Sequence, residues 1–568
     1  MTEPSPAHFQ FDTVSLPLLT RALTALQQGF VTLPPADLAP ADLDRLDAVL
    51  SMVAARMRDN YPYFHPQYAG QMLKPPHPVA RLAYALAQWV NPNNHALDGG
   101  RASSAMELEA VAGIARMFGW ETHLGHLTGG GTMANLEALW VAGQRRLGGL
   151  IVASSQAHYT HQRISAVLGL GFQAVPADQL GRMDLTALEQ LLERGNVGTV
   201  VVTMGTTAIG SVDPLPQILA LRERYGFRVH ADAAYGGYFG LADNLGPSAR
   251  EAFDRLSEVD SLVIDPHKHG LQPYGCGCVL FPDPSVGQLY RHDSPYTYFS
   301  SAEMHLGEIT LECSRPGAAA VALWATQELL PLVRGGEFAG MLGRSRVAAL
   351  DWHRRIAADP RFVAGLVPEL DIVVWAPRAA SASAASRRAR EIFAQAAQRG
   401  LHLALAELPV DLIDPAGTAF EHDQATATVL RSVLMKPEHL DWLDRLWALL
   451  DAATSARGSL SLARCRSCCA AASNRCSAAA LDSETDSETQ AQTTISSSGG
   501  ISVLNLGSAA MRACRSRAAA MPASRPLANS PPRSIGSSRC VAQSATALAP
   551  AREHSSEISP RCMSPEVK

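Results

Sequence analysis

Short apolar runs alternate with amphipathic stretches through the middle of the chain. The stretch 184–194 is typical of a helix, with Asp184 as its N-cap and Gly195 just past its end, and the stretch 214–225 has the same character. The apolar runs are suited to buried strands, and they are 150–153, 200–202, 227–231, 261–264 and 276–281. Buried strands that alternate with helices predict an α/β fold, a mainly parallel sheet covered on both faces.

Changes in this pattern predict four regions. Residues 1–75 form an N-terminal helical arm that becomes rich in Pro and Tyr, and residues 76–335 form a large domain with the alternating strands and helices. Residues 336–454 mix helices with two strand-like runs, which indicates a smaller α+β domain. Residues 455–568 contain no Phe, Trp or Tyr, so we expect a disordered tail, either a natural one or the translation of an unselected reading frame.

Composition narrows the classes of function. The chain has 568 residues, 47% hydrophobic and 18% charged, as is typical of globular proteins. A net charge of -5 gives no basic surface for nucleic acid. No apolar run reaches the roughly 18 residues of a membrane span, and the first residues do not resemble a signal peptide. We therefore expect a cytoplasmic protein with neither a nucleic-acid nor a membrane partner.

The cysteines point to neither disulfides nor metal. Seven of the ten lie after residue 455, and a cytoplasmic chain of this size rarely has a disulfide framework. Three of the seven cluster at Cys465, Cys468 and Cys469, but no second Cys or His pair follows at the spacing of a zinc site. We predict no metal centre.

A glycine run is the first candidate for chemistry. Gly129, Gly130, Gly131 and Thr132 directly precede a predicted helix, 133–147. Backbone N–H groups in such a run, together with the dipole of a helix N-terminus, favour a phosphate. The run is not a Walker loop, since no Gly-Lys-Ser/Thr follows. An ordinary glycine turn explains it equally well.

Three further side chains follow predicted strands. Asp232 lies at the end of a strand, where an acid can keep the pyridine nitrogen of pyridoxal phosphate protonated. Lys268 follows another strand and lies between two histidines, where its amine can form a Schiff base with an aldehyde cofactor. His158 follows the first strand, and its flat ring can stack on a cofactor. The alternatives are a helix or turn cap for Asp232, a surface position for Lys268 and a structural role for His158.

The order of these motifs resembles that of the group II pyridoxal-phosphate-dependent amino-acid decarboxylases. This family includes glutamate, aromatic L-amino-acid, tyrosine and diaminobutyrate decarboxylases and has the aspartate-aminotransferase (type I) fold. The resemblance covers about residues 61–450, and Asn91–Asn94 with Glu107 and Glu109 resembles the substrate entrance of the family. The resemblance implies a large domain that binds pyridoxal phosphate (PLP), a small C-terminal domain and a homodimer.

The resemblance also implies roles for individual residues. Lys268 matches the Schiff-base lysine, Asp232 the partner of the pyridine nitrogen and His158 the histidine that stacks on the ring. Thr206 matches a threonine near the ring oxygen, and Arg431 an arginine that binds or positions the substrate carboxylate. Gly131, Thr132 and His267 match contacts to the phosphate. The loop Ser314-Arg315-Pro316-Gly317 resembles a segment that reaches the phosphate of the neighbouring subunit, and Gly317 is its implied contact.

The residue that protonates the product carbon stays open in the sequence. The loop that supplies a tyrosine in the family is short here, and its candidates are Tyr298, Tyr296 and His305. Without such a donor, oxidative deamination or transamination would compete.

The expected reaction is decarboxylation of an L-amino acid, with an aromatic substrate favoured. The cofactor ring withdraws electrons from the bond to the carboxylate, carbon dioxide leaves, and protonation yields the amine. Tyr63, Phe64, Tyr68 and Trp89 are candidates for an aromatic pocket, although packing explains such residues as often. The alternatives are an acidic or basic substrate, an aminotransferase or retro-aldol lyase reaction on the same fold, and a non-catalytic relative.

Overall fold

The structure is a computed structural model and describes residues 13–36, 41–291 and 306–455. Its large sheet has seven strands in the order β1-β7-β6-β5-β4-β2-β3. Six of the strands run in one direction and β7 alone runs opposite to them, so the predicted mainly parallel sheet is confirmed. The strands are β1 (Leu124–Thr128), β2 (Leu150–Ser154), β3 (Phe172–Val175), β4 (Val197–Thr203), β5 (Arg228–Asp232), β6 (Ser261–Ile264) and β7 (Gly277–Phe281).

Helices cover this sheet. Asp184 caps one of them as predicted, since its carboxylate accepts hydrogen bonds from the N–H groups of Thr186 and Ala187 at 2.8 and 3.0 Å. The helix predicted at 133–147 begins two residues earlier, because the glycine run itself forms its first turn. The helices are α1 (Leu16–Gln28), α2 (Leu43–Met57), α3 (Pro78–Gln88), α4 (Leu97–Met117), α5 (Gly131–Arg145), α6 (Thr160–Val167), α7 (Leu185–Glu193), α8 (Leu215–Tyr225), α9 (Pro247–Asp254), α10 (Gly287–Tyr290) and α11 (Gly317–Leu329).

A second sheet follows in the chain. Its four antiparallel strands have the order β10-β11-β9-β8, and the two strand-like runs predicted here, 372–375 and 428–434, fall on two of them. The strands are β8 (Phe362–Ala364), β9 (Ile372–Pro377), β10 (Ala404–Pro409) and β11 (Thr426–Val433), and the helices are α12 (Glu337–Ala358), α13 (Ala382–Gln398), α14 (Val410–Ile413) and α15 (His439–Ser455).

The hydrophobic cores explain why these elements hold together. The side chains of Val200, Val202 and Leu262 are fully buried in the main hydrophobic cluster, which packs on the large sheet. Trp352 and Trp375 are buried in a second cluster, which packs on the four-stranded sheet. The predicted boundaries after residues 75, 335 and 454 stay predictions, and the predicted tail, apart from its first residue, lies outside the described residues. No helix within the described ranges is long and apolar enough to cross a membrane.

Candidate active site

A cavity of about 510 Å³ lies where the carboxyl ends of the parallel strands meet the N-terminus of α5. This is the edge at which open α/β sheets bind ligands. The polar residues around it come from separate strand ends and loops, and they are Thr132, Asn135, His158, Thr160, Thr203, Thr207, Asp232, Tyr235, Asp265, His267, Lys268 and Glu312. The predicted Lys268, Asp232, His158, His267, Thr132 and Gly131 are thus brought together.

Lys268 lies in the turn that follows β6. Its backbone N–H donates to the carbonyl of Asp265 at 2.9 Å, and its Nζ lies 3.0 Å from Asp265 Oδ2. The side chain is 22% exposed, so the amine is both held and reachable. Sequence reasoning missed Asp265, although its position three residues before the lysine, directly after a buried strand, was a usable signal.

Asp232 ends β5, and its carboxylate is held by two donors. Oδ1 accepts from the N–H of Ala234 at 3.1 Å, and Oδ2 lies 2.8 Å from Nε2 of His161. Burial alone would raise the pKa of this carboxyl, but the hydrogen bond from His161 and the positive charge of Lys268 hold the pKa well below its ordinary value. The group therefore enters the site as a carboxylate. Sequence reasoning did not single out His161.

His158 follows β2 and is half-buried at the cavity wall. Its Nδ1 accepts a hydrogen bond from the N–H of Thr160 at 3.3 Å, which places the ring proton on Nε2. Burial lowers the pKa of His158, so the ring is neutral near pH 7. A neutral, fixed imidazole is suited to stacking on a flat ligand.

The glycine run brings α5 close to Asp265 and His267. Gly130 has a φ of +144°, which favours glycine, and a Cβ added there would lie 3.3 Å from Cε1 of His267. A Cβ added at Gly131 would lie 2.7 Å from Oδ2 of Asp265. The run therefore brings the first turn of α5 close to Asp265 and His267, and the N-terminus of a helix is where proteins bind phosphate.

A buried chain of hydrogen bonds fixes the start of α5 to the sheet. Asn135 donates to the carbonyl of Gly131 at 2.8 Å, and its amide oxygen lies 2.8 Å from Nε2 of His230. Nδ1 of His230 lies 2.9 Å from the hydroxyl of Ser261. Burial lowers the pKa of His230 to about 3, so this link stays neutral.

A carboxylate and a phenol complete the wall of the cavity. Glu312, which sequence reasoning also missed, accepts a hydrogen bond from the N–H of Gly129 at 3.0 Å. The hydroxyl of Tyr235 donates to Oδ1 of Asp371 at 2.5 Å, and Oδ2 of Asp371 lies 3.2 Å from Nε2 of His269. Tyr235 is thereby held rigidly on the side facing the second sheet.

Two predicted residues do not line the cavity. The hydroxyl of Thr206 accepts from the N–H of Ser211 at 3.1 Å inside its own loop, and Thr207 is the threonine that lines the cavity. Arg431 is 4% exposed and donates to the carbonyls of Thr207 and Ala208 at 2.8 and 3.1 Å. Their roles toward cofactor and substrate stay predictions.

The loop Ser314–Gly317 is anchored within its own chain. Arg315 is buried, pairs with Glu107 and donates to the carbonyl of Leu127 at 2.9 Å. The N–H of Gly317 donates to the carbonyl of Pro92 at 2.9 Å, so Gly317 does not line this chain's cavity. The predicted contact with a neighbouring subunit stays a prediction, and Tyr296, Tyr298 and His305 lie outside the described residues.

The predicted aromatic pocket lies apart from the cavity. Tyr63 and Tyr68 are in edge contact, with ring centroids 5.0 Å apart, and neither they nor Phe64 and Trp89 line the cavity described above. Trp89 is 64% exposed. Gln71 links the cluster to Arg431, since its side chain accepts from Arg431 at 3.2 Å.

Comparisons with known proteins match the chain to one family. Residues 146–330 match the pyridoxal-dependent decarboxylase conserved domain. The probable L-tyrosine/L-aspartate decarboxylase of Methanoculleus marisnigri is 30% identical over 290 residues, 50% of this chain and 74% of that protein. The L-tyrosine decarboxylase of Enterococcus faecium is 28% identical over 411 residues, 54% of this chain and 67% of that protein. The L-tyrosine decarboxylase of Levilactobacillus brevis is covered over 62% of its length, so the chain spans about two thirds of such relatives.

Solved structures share the fold. Mouse CSAD superimposes with a TM-score of 0.64 at 18% identity, over 79% of this chain and 100% of that one. Oryza sativa TDC, solved with PLP and tryptamine, gives a TM-score of 0.63 at 18% identity, over 80% of this chain and 99% of that one. The type I fold that the sequence predicted is confirmed.

Proposed function

Because the chain belongs to the pyridoxal-dependent decarboxylase family, we propose that it removes the carboxylate of an L-amino acid as carbon dioxide, with an aromatic amino acid as the favoured substrate. The observation that carries this proposal is the meeting of Lys268, Asp232 and the glycine run around one cavity. An aldehyde cofactor needs an amine, a partner for its ring nitrogen and a phosphate site, and the cavity wall offers all three.

The residues present fit pyridoxal phosphate. Gly130 and Gly131 let the N-terminus of α5 approach His267 and Asp265 more closely than a residue with a Cβ would allow. Two buried polar atoms beside it, Oδ1 of Asp265 and Nδ1 of His267, have no hydrogen-bond partner among the described residues. Buried polar groups are rarely left unpaired, and Nδ1 of His267, when it carries a proton, is a donor that a phosphate oxygen would satisfy.

The roles of the side chains follow from their positions. Lys268 would hold the aldehyde carbon, the N–H groups in the first turn of α5 with Thr132 and His267 would hold the phosphate, and His158 would lie against the ring. Asp232 would keep a proton on the ring nitrogen, since its carboxylate stays ionised. When bound, the cofactor supplies the electron sink for the bond that breaks.

The favoured substrate rests on two supports. Tyrosine decarboxylases from two bacteria are among the relatives, at 28% and 27% identity. The aromatic cluster of Tyr63 and Tyr68 is linked through Gln71 to Arg431, which also donates to the carbonyl of Thr207 at the cavity wall. An acidic substrate is the second candidate, because the L-aspartate decarboxylase of Thermococcus kodakarensis is 29% identical over 72% of its length.

A panel of the twenty amino acids, scored by carbon dioxide release from the full chain supplied with pyridoxal phosphate, tests the substrate. We expect tyrosine or another aromatic amino acid to give the highest kcat/KM. A higher kcat/KM for aspartate or glutamate would replace the aromatic assignment. Conversion to a keto acid without carbon dioxide would replace decarboxylation by transamination.

We also propose that the protein is a cytoplasmic homodimer. Helix α2 buries none of its residues against the described chain. Five of its apolar side chains repeat at alternating spacings of three and four, the pattern that packs helix against helix. These five are all at least half exposed, and they are Leu43, Leu46, Leu50, Val53 and Met57. Exposed apolar stripes of this kind mark interfaces.

Sedimentation of the full chain tests the dimer, with twice the mass of one chain expected. Leu50→Glu places a charge in the stripe and is expected to favour the monomer. Ala48→Glu adds the same side chain at an exposed position on the opposite face of α2 and is the matched control. A monomeric wild type, or a Leu50→Glu variant that stays dimeric, would contradict the proposed interface.

A further inference from the structure

A second histidine, His161, contacts the carboxylate on which the proposed cofactor chemistry depends. It lies in the first turn of α6 and is fully buried. Its Nε2 is 2.8 Å from Oδ2 of Asp232. Its backbone N–H donates to the carbonyl of His158 at 3.2 Å, so one turn of the chain carries both histidines.

The hydrogen-bond pattern assigns the proton of the His161 ring. Nδ1 is buried and has no partner among the residues that the structure describes. A proton there would be a buried donor without an acceptor, which costs free energy. A proton on Nε2 is donated to Asp232 instead, and the partner of one ring nitrogen sets the tautomer. His161 is therefore a fixed donor to Asp232.

The other oxygen of Asp232 is also occupied. Oδ1 accepts a hydrogen bond from the N–H of Ala234, which lies two residues after the aspartate. The peptide donor fixes the carboxylate to its own strand, whereas His161 fixes it from α6, across the sheet edge. Only the edge of the carboxylate that faces the cavity is left for a ligand, since Asp232 lines the cavity and is 6% exposed.

We propose that His161 is a positioning residue, which holds the carboxylate of Asp232 against the ring nitrogen of pyridoxal phosphate while its neighbour His158 holds the face of the ring. The short segment from His158 into the first turn of α6 would thus set two contacts to the cofactor at once. This rests on the proposed cofactor site. His161 touches neither substrate nor the reacting carbon in this scheme, so it acts through Asp232 alone.

The test compares two substitutions at one position. His161→Gln keeps a side-chain N–H that can reach Asp232, and His161→Phe keeps a ring of similar size without a donor. We expect His161→Phe to bind pyridoxal phosphate about tenfold more weakly, the size of effect typical for a hydrogen bond to a charged group. His161→Gln is expected to restore most of the affinity. Unchanged far-ultraviolet circular dichroism and melting behaviour show that both variants are folded.

A pH titration adds a readout that a purely structural role would not move. Without the donor, the pKa of Asp232 rises, so cofactor affinity should be lost at a higher pH in His161→Phe than in the wild type as the pH falls. The other titratable groups facing Asp232 are His158, His230 and Lys268. They are common to both proteins, so the difference between the curves reports on His161.

The Asp232→Asn background decides whether His161 acts through the aspartate. There, His161→Phe should change cofactor affinity by less than twofold, because the charged acceptor is already gone. Equal tenfold losses in both backgrounds, or wild-type affinity and titration in the single His161→Phe variant, would overturn the proposal. Failure of the wild type to bind pyridoxal phosphate would refute the proposed function instead, so the two failures are distinguishable.

Discussion

Gly131→Ala tests whether the closeness of α5 to Asp265 serves the site. The added Cβ would lie 3.0 Å from Oδ1 of Asp265 and 2.7 Å from its Oδ2, and the second distance is shorter than Cβ atoms show in proteins. The carboxylate must move. Its movement disturbs the ion pair with Lys268, whose Nζ lies 3.0 Å from the same Oδ2. Overpacking of this kind costs about 1–3 kcal/mol. If that cost falls on the bound state, cofactor affinity drops by roughly fivefold to more than a hundredfold.

The assay is equilibrium binding of pyridoxal phosphate, followed by its visible absorbance, with a thermal melt of each apo protein. Gly340→Ala is the matched control: Gly340 also lies in a helix, and a Cβ there would meet nothing within 4 Å. We expect Gly340→Ala to bind the cofactor as the wild type does. Wild-type affinity in Gly131→Ala, with an unchanged melt, would refute the reasoning that the glycine is required beside Asp265.

Three further predictions concern separate parts of the chain. Asp232→Asn is expected to keep pyridoxal phosphate bound but lose most turnover, because a neutral amide does not stabilise a protonated ring nitrogen; near-wild-type turnover would make Asp232 structural. Deletion of the residues after 455 should leave folding and activity intact, as measured by melting and carbon dioxide release, and a truncated chain that fails to fold would contradict the predicted tail. Mixing Lys268→Ala with Pro316→Glu subunits should make about a quarter of all sites competent, because each mixed dimer holds one site with neither defect. Pro316 is exposed, so the charge disturbs the partner rather than its own chain; exchange of subunits without regained activity would place the loop's function within its own subunit.

The sequence was informative wherever one local rule decides the structure. Asp184 has the side chain that caps a helix, and the helix starts beside it. Lys268 and Asp232 were identifiable because each directly follows or ends a buried strand, and the carboxyl ends of parallel strands meet at one edge. The glycine run was located correctly, although its helix starts at Gly131, since glycines are not excluded from a first turn.

The sequence was silent wherever the contact depends on tertiary packing. His161 lies 71 positions before Asp232, and nothing local shows that α6 turns its ring toward β5. Glu312 reaches Gly129 across 183 positions for the same reason. Thr206 and Thr207 are adjacent and chemically alike, so only the path of the backbone decides that Thr207 faces the cavity.

Release of labelled carbon dioxide from carboxyl-labelled L-tyrosine, by the wild type and by Lys268→Ala, tests the central claim most directly. The wild type with pyridoxal phosphate should release one carbon dioxide for each tyramine formed. Lys268→Ala should release none and lose the absorbance of bound cofactor, because no other amine lines the described cavity. Carbon dioxide release that survives in Lys268→Ala, or no release by the wild type from any amino acid, would contradict the account.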